Sequence, residues 1–366
     1  MRSLTWAEVR ARRLQRSHLL EPAPRGSTAE VVGSICGLQA QVLSAAELGL
    51  GLRIEGLTEA GVREELWERR RLARAWTIRG TIHLVPAAEL SLWTAAARGR
   101  GLGRWWERFG FTRKRGEAVL EAIREALDGR PLTREELADE AARRAGSWAR
   151  EPLSSQWGGL LGVATMHGHL CHGPSWGTKV TFVRPDQWLG PQLEHDPGDA
   201  LAEIVRRYVA AYGPSTHTDL AEWLSIRPGA ARSLLEALEL DPVDVEGHRA
   251  WVLAGDVEFP EAPSVRLVPQ YDQYLIGSRP RRVLPDTARA RVYGYRRGKY
   301  EGVIALSALL VDGVVAGIWD RRSRGGGLEV RVETFARVPK RALAAEVERL
   351  AAYYGREVSL TLGTLD

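Results

Sequence analysis

The first apolar positions of the chain follow the spacing of a helix, and two amides interrupt the pattern. Hydrophobic residues recur every three or four positions from Val31 to Val42, behind a possible helix cap at Ser27. Side chains two residues apart on a helix point about 200° away from each other. A continuous helix would therefore place Gln39 and Gln41 on opposite flanks, where they could not share a task.

Two local signals predict that this helix breaks. Gly37 is a plausible helix stop, and the sequence SAAE from Ser44 to Glu47 has the pattern of a capping box that starts a new helix. The connector would then be extended, and side chains at positions i and i+2 of an extended segment point to the same side. We therefore expect Gln39 and Gln41 to converge.

The pattern then changes to strands, and the order of elements repeats. Residues 58–71 predict a third helix, and residues 74–85 (RAWTIRGTIHLV) predict a hairpin that turns near Arg79. Three helices followed by a hairpin is the order of a winged helix. That order returns twice, with helices predicted at 114–128, from Leu132, and at 154–167, 200–212, 216–224 and 228–238, and with strand pairs around 174–177 and 246–248.

Strands dominate the pattern from Ser264 onward. Asp312-Gly313 is a strong hairpin signal, and the run 319–333 turns through a basic, glycine-rich loop at 321–327. The last elements predicted are a helix at 339–354 and a strand at 357–362.

These patterns predict an α+β fold with three tandem winged-helix (helix-turn-helix) units and a β-rich, mixed α/β C-terminal domain. The chain has 366 residues, of which 44% are hydrophobic, which suffices for several cores. The expected domains are 1–110, which carries the two amides, 111–197, 198–262 and 263–366.

Cysteine content and the N-terminal sequence indicate the compartment. Two cysteines are too few to stabilise a chain of this size through disulfides, and no apolar signal region follows the N-terminal residues. We therefore expect a cytoplasmic protein that is neither secreted nor inserted into a membrane.

Basic charge is concentrated in patches, although the formal net charge is only +5. Residues 98–115 carry seven basic side chains against one glutamate, and residues 279–299 carry eight against one aspartate. Arginines suit phosphate because each guanidinium can bind two oxygens. A solvated face is the alternative for any single patch. Taken together, the patches favour nucleic acid as the partner.

Other candidate centres have weaker patterns. His167, His169, Cys171 and His172 are zinc-ligand types, but they straddle a helix end and a strand start, so exposed wing surface is the favoured interpretation. The GxSxG match at 173–177 lies in the turn between two predicted strands and not between a strand and a helix, which disfavours a serine nucleophile. The sequence has no Gly-Lys-Ser/Thr loop and no cluster of carboxylates, which disfavours nucleotide hydrolysis and metal-nuclease chemistry. Asp272 is expected to pair with an arginine at a domain interface or to contribute to a cleft.

The residues alone leave two interpretations for Gln39 and Gln41. Paired glutamines in a connector most often cap helices or satisfy buried backbone groups. They could instead form a site, although glutamine is a poor general base.

Several segments in register resemble a known family. LQAQ is followed by SAAE, then by RAWTIRGTIHLV, the tandem winged-helix pattern, LVPQYDQYLIGSR and VDGVVAGIWDRR. Together they resemble the AlkZ-type winged-helix DNA glycosylases of bacteria over nearly the whole chain. The signature of that family is a glutamine, an apolar residue and then Gln or Asp, and here it reads Gln39-Ala40-Gln41.

The resemblance implies hydrolytic removal of N-alkylated purines from double-stranded DNA, including bulky N7-alkylguanine adducts and interstrand crosslinks made by azinomycin-like or other genotoxic natural products. Members often serve in self-resistance. It implies that Gln39 and Gln41 orient water and stabilise the transition state. The residues expected to contact DNA are Arg74, Arg79, His83, Lys179, Arg279, Arg281, Arg282, Arg321, Arg322 and Arg324.

The expected enzyme is a monomer that uses water and needs neither metal nor cofactor. No lysine is marked as a Schiff-base nucleophile, so we expect a monofunctional glycosylase. A bulky lesion argues for an open, basic cleft because a snug pocket for a flipped base would reject a crosslinked base. The alternatives are a non-catalytic winged-helix regulator and a family member that binds lesions without cutting.

Overall fold

The structure, a computed structural model, describes residues 2–103, 110–155, 159–256, 258–295 and 298–365, without the side chains of residues 280 and 281. The chain forms two compact units. Unit 1 contains Met1–Arg63 and Val205–Asp366, and unit 2 contains Glu64–Ile204. Within the described ranges, every helix is too short or too polar to cross a bilayer.

The N-terminal segment of unit 1 is mostly helical. Its elements are β1 (Arg2–Leu4), α1 (Trp6–Arg16), α2 (Thr28–Ser34), β2 (Leu38–Gln39), α3 (Leu43–Gly51) and α4 (Glu59–Trp67), which ends in unit 2. A capping box starts α1, because the Thr5 hydroxyl accepts from the Glu8 N–H and the Glu8 carboxylate accepts from the Thr5 N–H. The helix then buries Val9 and Leu14.

Unit 2 combines helices with a sheet. Its elements are β3 (Leu72–Trp76), β4 (Ile82–Pro86), α5 (Leu90–Gly99), α6 (Arg113–Ala126), β5 (Leu132–Thr133), α7 (Arg134–Ala145), α8 (Arg150–Ser154), α9 (Gly159–Met166), β6 (Cys171–Trp176), β7 (Lys179–Val183), α10 (Pro185–Trp188) and α11 (Pro197–Tyr212), which continues into unit 1. Its strands lie in the order β4-β3-β6-β7-β5 and pair antiparallel. Trp76, Ile123 and Phe182 belong to its apolar core.

The second segment of unit 1 contains two further helices, a hairpin and a mixed α/β region. Its elements are α12 (His217–Leu224), α13 (Pro228–Glu236), β8 (Leu240–Val245), β9 (His248–Leu253), β10 (Val265–Val268), α14 (Gln273–Gly277), α15 (Pro280–Val283), α16 (Asp286–Gly294), α17 (Gly298–Glu301), β11 (Ser307–Val311), β12 (Val314–Arg324), β13 (Gly327–Thr334), α18 (Lys340–Tyr354) and β14 (Val358–Leu362). One sheet has the order β1-β8-β9 and the other β10-β11-β12-β13-β14.

The two segments of unit 1 are joined by a sheet and by an apolar core. β1 pairs parallel with β8, with Leu4 opposite Val245. Leu14 and Leu19 from the N-terminal segment share a buried cluster with Tyr274 and Leu310 from the C-terminal segment. Unit 1 is therefore built from sequence regions on both sides of unit 2.

The mixed α+β class is confirmed, and so is the predicted hairpin turn at Asp312-Gly313 between β11 and β12. Two expectations about the C-terminal region are wrong. Four short helices, α14 to α17, interrupt the strands predicted from Ser264 onward. The residues 321–324 form the end of strand β12 and not a loop, because they pair with β13 as far as Arg324 opposite Gly327. The number of winged helices and the four domain boundaries stay predictions.

Candidate functional site

The chain leaves the helical conformation before Gln39 and re-enters it after Gln41. Helix α2 ends at Ser34, and Cys36 (φ 65°) and Gly37 (φ 77°) adopt left-handed backbone conformations. A non-glycine residue such as Cys36 rarely adopts this conformation. The two left-handed residues therefore mark the end of helix α2. Helix α3 begins only at Leu43. The predicted break is confirmed.

The capping box predicted at Ser44 is wrong. The N-cap residue of α3 is Val42, which makes no side-chain capping hydrogen bond, and Ser44 lies inside the first turn. The helix begins earlier than expected, so the Ser44 hydroxyl is not in the N-cap position. Glu47, which the capping box would have placed at a helix start, is buried on α3 with its carboxylate 3.6 Å from the Arg63 guanidinium. Sequence reasoning therefore missed a buried carboxylate close in sequence to the amide pair.

The two amides meet in the break. Gln39 Nε2 donates a hydrogen bond to Gln41 Oε1 at 2.5 Å. Gln39 is 6% exposed, whereas Gln41 is exposed to solvent. Gln39 Oε1 is buried and accepts no hydrogen bond from any residue that the structure describes. Ala40 between them is fully buried. The predicted convergence of Gln39 and Gln41 is confirmed, with Gln39 as the donor and Gln41 as the acceptor of this hydrogen bond.

A buried ion pair supports the helix that follows the amides. Arg53 Nη1 and Nη2 lie 2.9 and 2.7 Å from the two carboxylate oxygens of Asp272, and both side chains are fully buried. Arg53 Nη1 also donates to the Gly49 carbonyl in α3 at 2.7 Å. A Cβ atom at Gly49 would lie 3.6 Å from both Asp272 Oδ2 and the Leu38 side chain, so the pair is packed beside the start of the amide segment. The prediction that Asp272 pairs with an arginine is confirmed.

A tyrosine anchors the other end of the segment. The Tyr212 hydroxyl donates to the Ile35 carbonyl at 2.9 Å. Burial raises the pKa of Tyr212, so this hydroxyl remains protonated and available as a donor. The Tyr212 ring lies so close to Gly277 that a Cβ atom there would come within 2.4 Å of it. The amide segment is thus held at Ile35 and beside Leu38 by residues distant in sequence.

Four of the residues expected to contact DNA are exposed. Lys179 lies 3.7 Å from Glu135, and Arg324 lies 3.3 Å from Glu329. The Arg321 guanidinium lies over the Tyr354 ring, 4.5 Å from its centroid, and Arg322 is exposed beside it. Ion pairs of exposed side chains contribute little to stability, so a stronger partner could displace them.

Arg279 and Arg282 have a structural role that the sequence did not reveal. Arg279 Nη1 and Arg282 Nη1 each lie 3.0 Å from a carboxylate oxygen of Asp219, which is 3% exposed. The Arg282 guanidinium also lies over the Trp6 ring at 4.6 Å. Both arginines thus bind a buried carboxylate within unit 1, and their contact with DNA stays a prediction. The side chain of Arg281 lies outside the described residues, as do Arg104 and Arg108 of the first basic patch and Arg296 and Arg297 of the second.

Arg74 and His83 are buried in the hairpin of unit 2, and their contact with DNA stays a prediction. Arg74 is 8% and His83 1% exposed, which leaves almost no surface for a duplex. His83 Nδ1 lies 2.9 Å from the Thr81 carbonyl oxygen and 3.0 Å from the Thr77 hydroxyl. Burial, with a further contribution from the Arg79 guanidinium, lowers the pKa of His83 to about 3. Arg79 itself is half-buried in the turn.

Comparison with known proteins identifies the family. The family model described as "DNA glycosylase AlkZ-like" matches residues 32–354. The chain belongs to the AlkZ-like DNA glycosylase family. A protein from Streptomyces sahachiroi named interstrand DNA cross-link repair glycosylase is 34% identical over 334 residues, which cover 86% of this chain and 88% of that protein. The solved structure of Streptomyces sahachiroi DNA glycosylase AlkZ matches 99% of this chain and 100% of that chain, with a TM-score of 0.86 and 30% identity.

The histidine and cysteine cluster of this AlkZ-like chain is not the exposed wing surface that the sequence suggested. Cys171 and His172 are buried in β6, and burial raises the pKa of Cys171 to about 12. His172 Nδ1 lies 3.1 Å from the Arg74 carbonyl oxygen, and His167 Nε2 lies 3.0 Å from the Gly103 carbonyl oxygen. Among the described residues, no three His, Cys, Asp or Glu side chains are grouped to hold a metal ion.

Proposed function

We propose that this chain hydrolyses the N-glycosidic bond of N-alkylated purines in double-stranded DNA and leaves an abasic site. The observation that carries the proposal is the Gln39–Gln41 amide pair in the helix break, in a chain of the AlkZ-like family. N7-alkylguanine and bulky adducts are the proposed substrates. The name of the S. sahachiroi relative supports interstrand crosslinks as a further substrate.

The chemistry suits two amides because the substrate is already activated. Alkylation at N7 puts a positive charge on guanine, so the base can leave without being protonated. Positive charge then develops on the sugar at C1′, and water attacks that carbon. The enzyme must therefore position water and stabilise a cation, and preorganised dipoles do both. General-base catalysis accelerates reactions by about 10²- to 10⁴-fold in other enzymes. An activated substrate needs only part of that acceleration.

The geometry supports different roles for the two glutamines. Gln39 is buried and donates to Gln41, so its role is to fix the orientation of the Gln41 amide. Gln41 is exposed, and its carbonyl oxygen has a second lone pair that can accept a hydrogen bond from the attacking water. The same oxygen presents negative partial charge to the developing cation. Gln41 is thus the catalytic residue that touches water and sugar, and Gln39 orients it.

We further propose a monofunctional, monomeric enzyme built on three winged helices, which serves in general repair or in self-resistance to a genotoxic natural product. Lys179, Arg321, Arg322 and Arg324 are its proposed DNA contacts because they are exposed cations. A non-catalytic regulator, which would bind one undamaged sequence tightly, is not favoured by membership of a glycosylase family. A glycosylase should bind many sequences with a steep dependence on salt.

The decisive test is release of N7-methylguanine from alkylated duplex DNA under single-turnover conditions. The native protein should release the base, whereas Gln41→Ala should reduce the rate by about 10²-fold or more, because a transition-state dipole is lost. The Gln39→Ala/Gln41→Ala variant should release almost none. Both variants should bind undamaged DNA like the native protein. Full activity in the double variant would refute the assignment.

A further inference from the structure

A second polar site lies in unit 1 at the end of strand β12. A pocket of about 250 Å³ is lined by Arg321, Arg322, Ser323, Tyr354 and Arg356, together with Glu59 at the start of α4. The residues come from three elements that are far apart in sequence, since Tyr354 ends α18 and Arg356 follows it. None of these positions belongs to the amide segment.

The pocket has an excess of positive charge. Glu59, the one carboxylate in its lining, is already paired with Arg63 at 2.9 Å. Arg322 and Arg356 form no ion pair with any residue in the described ranges. The carboxylate opposite Arg322 in the sheet is Glu329, and it is occupied by Arg324 at 3.3 Å and by the Thr361 hydroxyl at 2.7 Å. Two guanidinium groups are thus available to an external anion.

Arg321 completes the set of donors. Its guanidinium lies over the Tyr354 ring, 4.5 Å from the ring centroid, in a cation–π contact. The Tyr354 hydroxyl itself is buried, so the ring and not the hydroxyl supports the site. The pocket therefore offers the planar, forked N–H donors of three arginines, which suit the oxygens of a phosphate.

We infer that this pocket binds a backbone phosphate of the DNA, with Arg321, Arg322 and Arg356 as its ligands. The inference rests on the proposed function for the identity of the polyanion. A duplex is favoured over a free phosphate ion because exposed arginine continues along β12 from the pocket to Arg324, so an extended polyanion can occupy both places. Arg356 and Tyr354 lie outside the basic runs that the sequence indicated, and only the fold brings them to β12.

The test is the salt dependence of binding to undamaged duplex DNA, measured by fluorescence anisotropy over a series of KCl concentrations. An Arg322→Gln/Arg356→Gln variant should bind about tenfold more weakly at low salt. Its slope of log K against log[salt] should fall by about one, because one phosphate contact is lost. Arg337→Gln, which removes an exposed arginine of unit 1 outside this pocket, is the matched control and should change neither value.

Three outcomes would overturn the site. The first is an unchanged slope in the double variant, and the second is an equal change in the Arg337→Gln control. The third is stabilisation of the native protein by inorganic phosphate with no effect of the double variant on DNA binding, which would assign the pocket to a free anion. Base release by the native protein, measured in parallel, distinguishes the two proposals. Base release by the native protein together with a lowered slope in the double variant supports both. If the native protein releases no base but the double variant still has a lowered slope, the phosphate site stands and the glycosylase is refuted.

Discussion

At the scale of single residues, the direction of one hydrogen bond decides what each glutamine can do. Gln39 uses its amide hydrogen to hold Gln41 Oε1 at 2.5 Å, so the buried residue is the donor and the exposed residue the acceptor. A carboxylate can only accept hydrogen bonds at neutral pH. Replacement of either amide by a carboxylate therefore has different consequences at the two positions.

Gln39→Glu should reduce the single-turnover rate of base release by about 10²-fold, although it introduces a stronger base. The new carboxylate cannot donate to Gln41 Oε1, and the orientation of the catalytic amide is lost. Gln41→Glu keeps an acceptor for the Gln39 amide and should retain more activity than Gln39→Glu. A rate for Gln39→Glu at or above the native rate would show that these residues act as general bases instead.

His83 makes the free energy of unfolding depend on pH. Its pKa is lowered from 6.5 to about 3, so the folded state favours the neutral ring. The stabilisation is fully present above pH 6.5 and is lost as the pH falls towards 3. His83→Asn, which keeps a polar group near the Thr81 carbonyl, removes this titration. Between pH 7 and pH 4 the native protein should lose about 3 kcal/mol more unfolding free energy than the variant, measured by urea denaturation. Parallel pH profiles would contradict the prediction.

The sequence was sufficient to predict the amide pair but not the environment of other polar residues. Gln39 and Gln41 are two positions apart, and a local break decides their direction, so short-range signals were enough. The N-cap at Val42 has no hydroxyl or carboxylate to reveal it, and Ser44 gave a false signal. Burial of His83 depends on packing within unit 2, which no local pattern encodes.

At the scale of elements, the buried Arg53–Asp272 pair links α3 to the residue that caps α14. Asp272 accepts from the Tyr274 N–H at 2.8 Å while it binds Arg53, so one carboxylate holds two elements. The pair lies beside Leu38, the residue before the two amides. A change at Asp272 should therefore affect both folding and the positions of the amides.

Asp272→Ala should destabilise the protein by about 3–5 kcal/mol, because it leaves the Arg53 guanidinium buried without its counter-charge. Chemical denaturation measures this loss. An Arg53→Met/Asp272→Leu variant removes both charges and should be markedly more stable than Asp272→Ala, although it lacks the same ion pair. Equal stability of the two variants would mean that the unpaired charge is not the cause.

Elements with strong local signals were predicted well, and elements defined by long-range pairing were not. The Asp312-Gly313 turn and α18 follow from turn chemistry and helical spacing. The strand character of Arg321 to Arg324 follows instead from pairing with β13, whose apolar residues alternate at Leu328, Val330 and Val332. A basic, glycine-rich sequence alone resembles a loop.

At the scale of the whole molecule, arginines serve two purposes that look identical in the sequence. Arg279 and Arg282 bind Asp219, about sixty residues earlier in the chain, whereas Arg322 and Arg356 remain available to an anion. Charge counts identified basic regions correctly but could not separate these classes, because the partner of each arginine is set by the fold. Nucleic-acid contacts are therefore best sought among the exposed cations that no buried carboxylate neutralises.

The discontinuity of unit 1 also imposes an order on biosynthesis. Unit 2 is one uninterrupted stretch, so its sequence is complete before the second segment of unit 1 is synthesised. Unit 1 must wait, because β1 pairs with β8 and Arg53 is separated by 219 residues from Asp272. A nascent chain that stalls after unit 2 carries both glutamines without the ion pair or the Tyr212 anchor that supports them. Truncated chains that end after unit 2 should thus carry the amide segment without its support, because that support is completed late in synthesis.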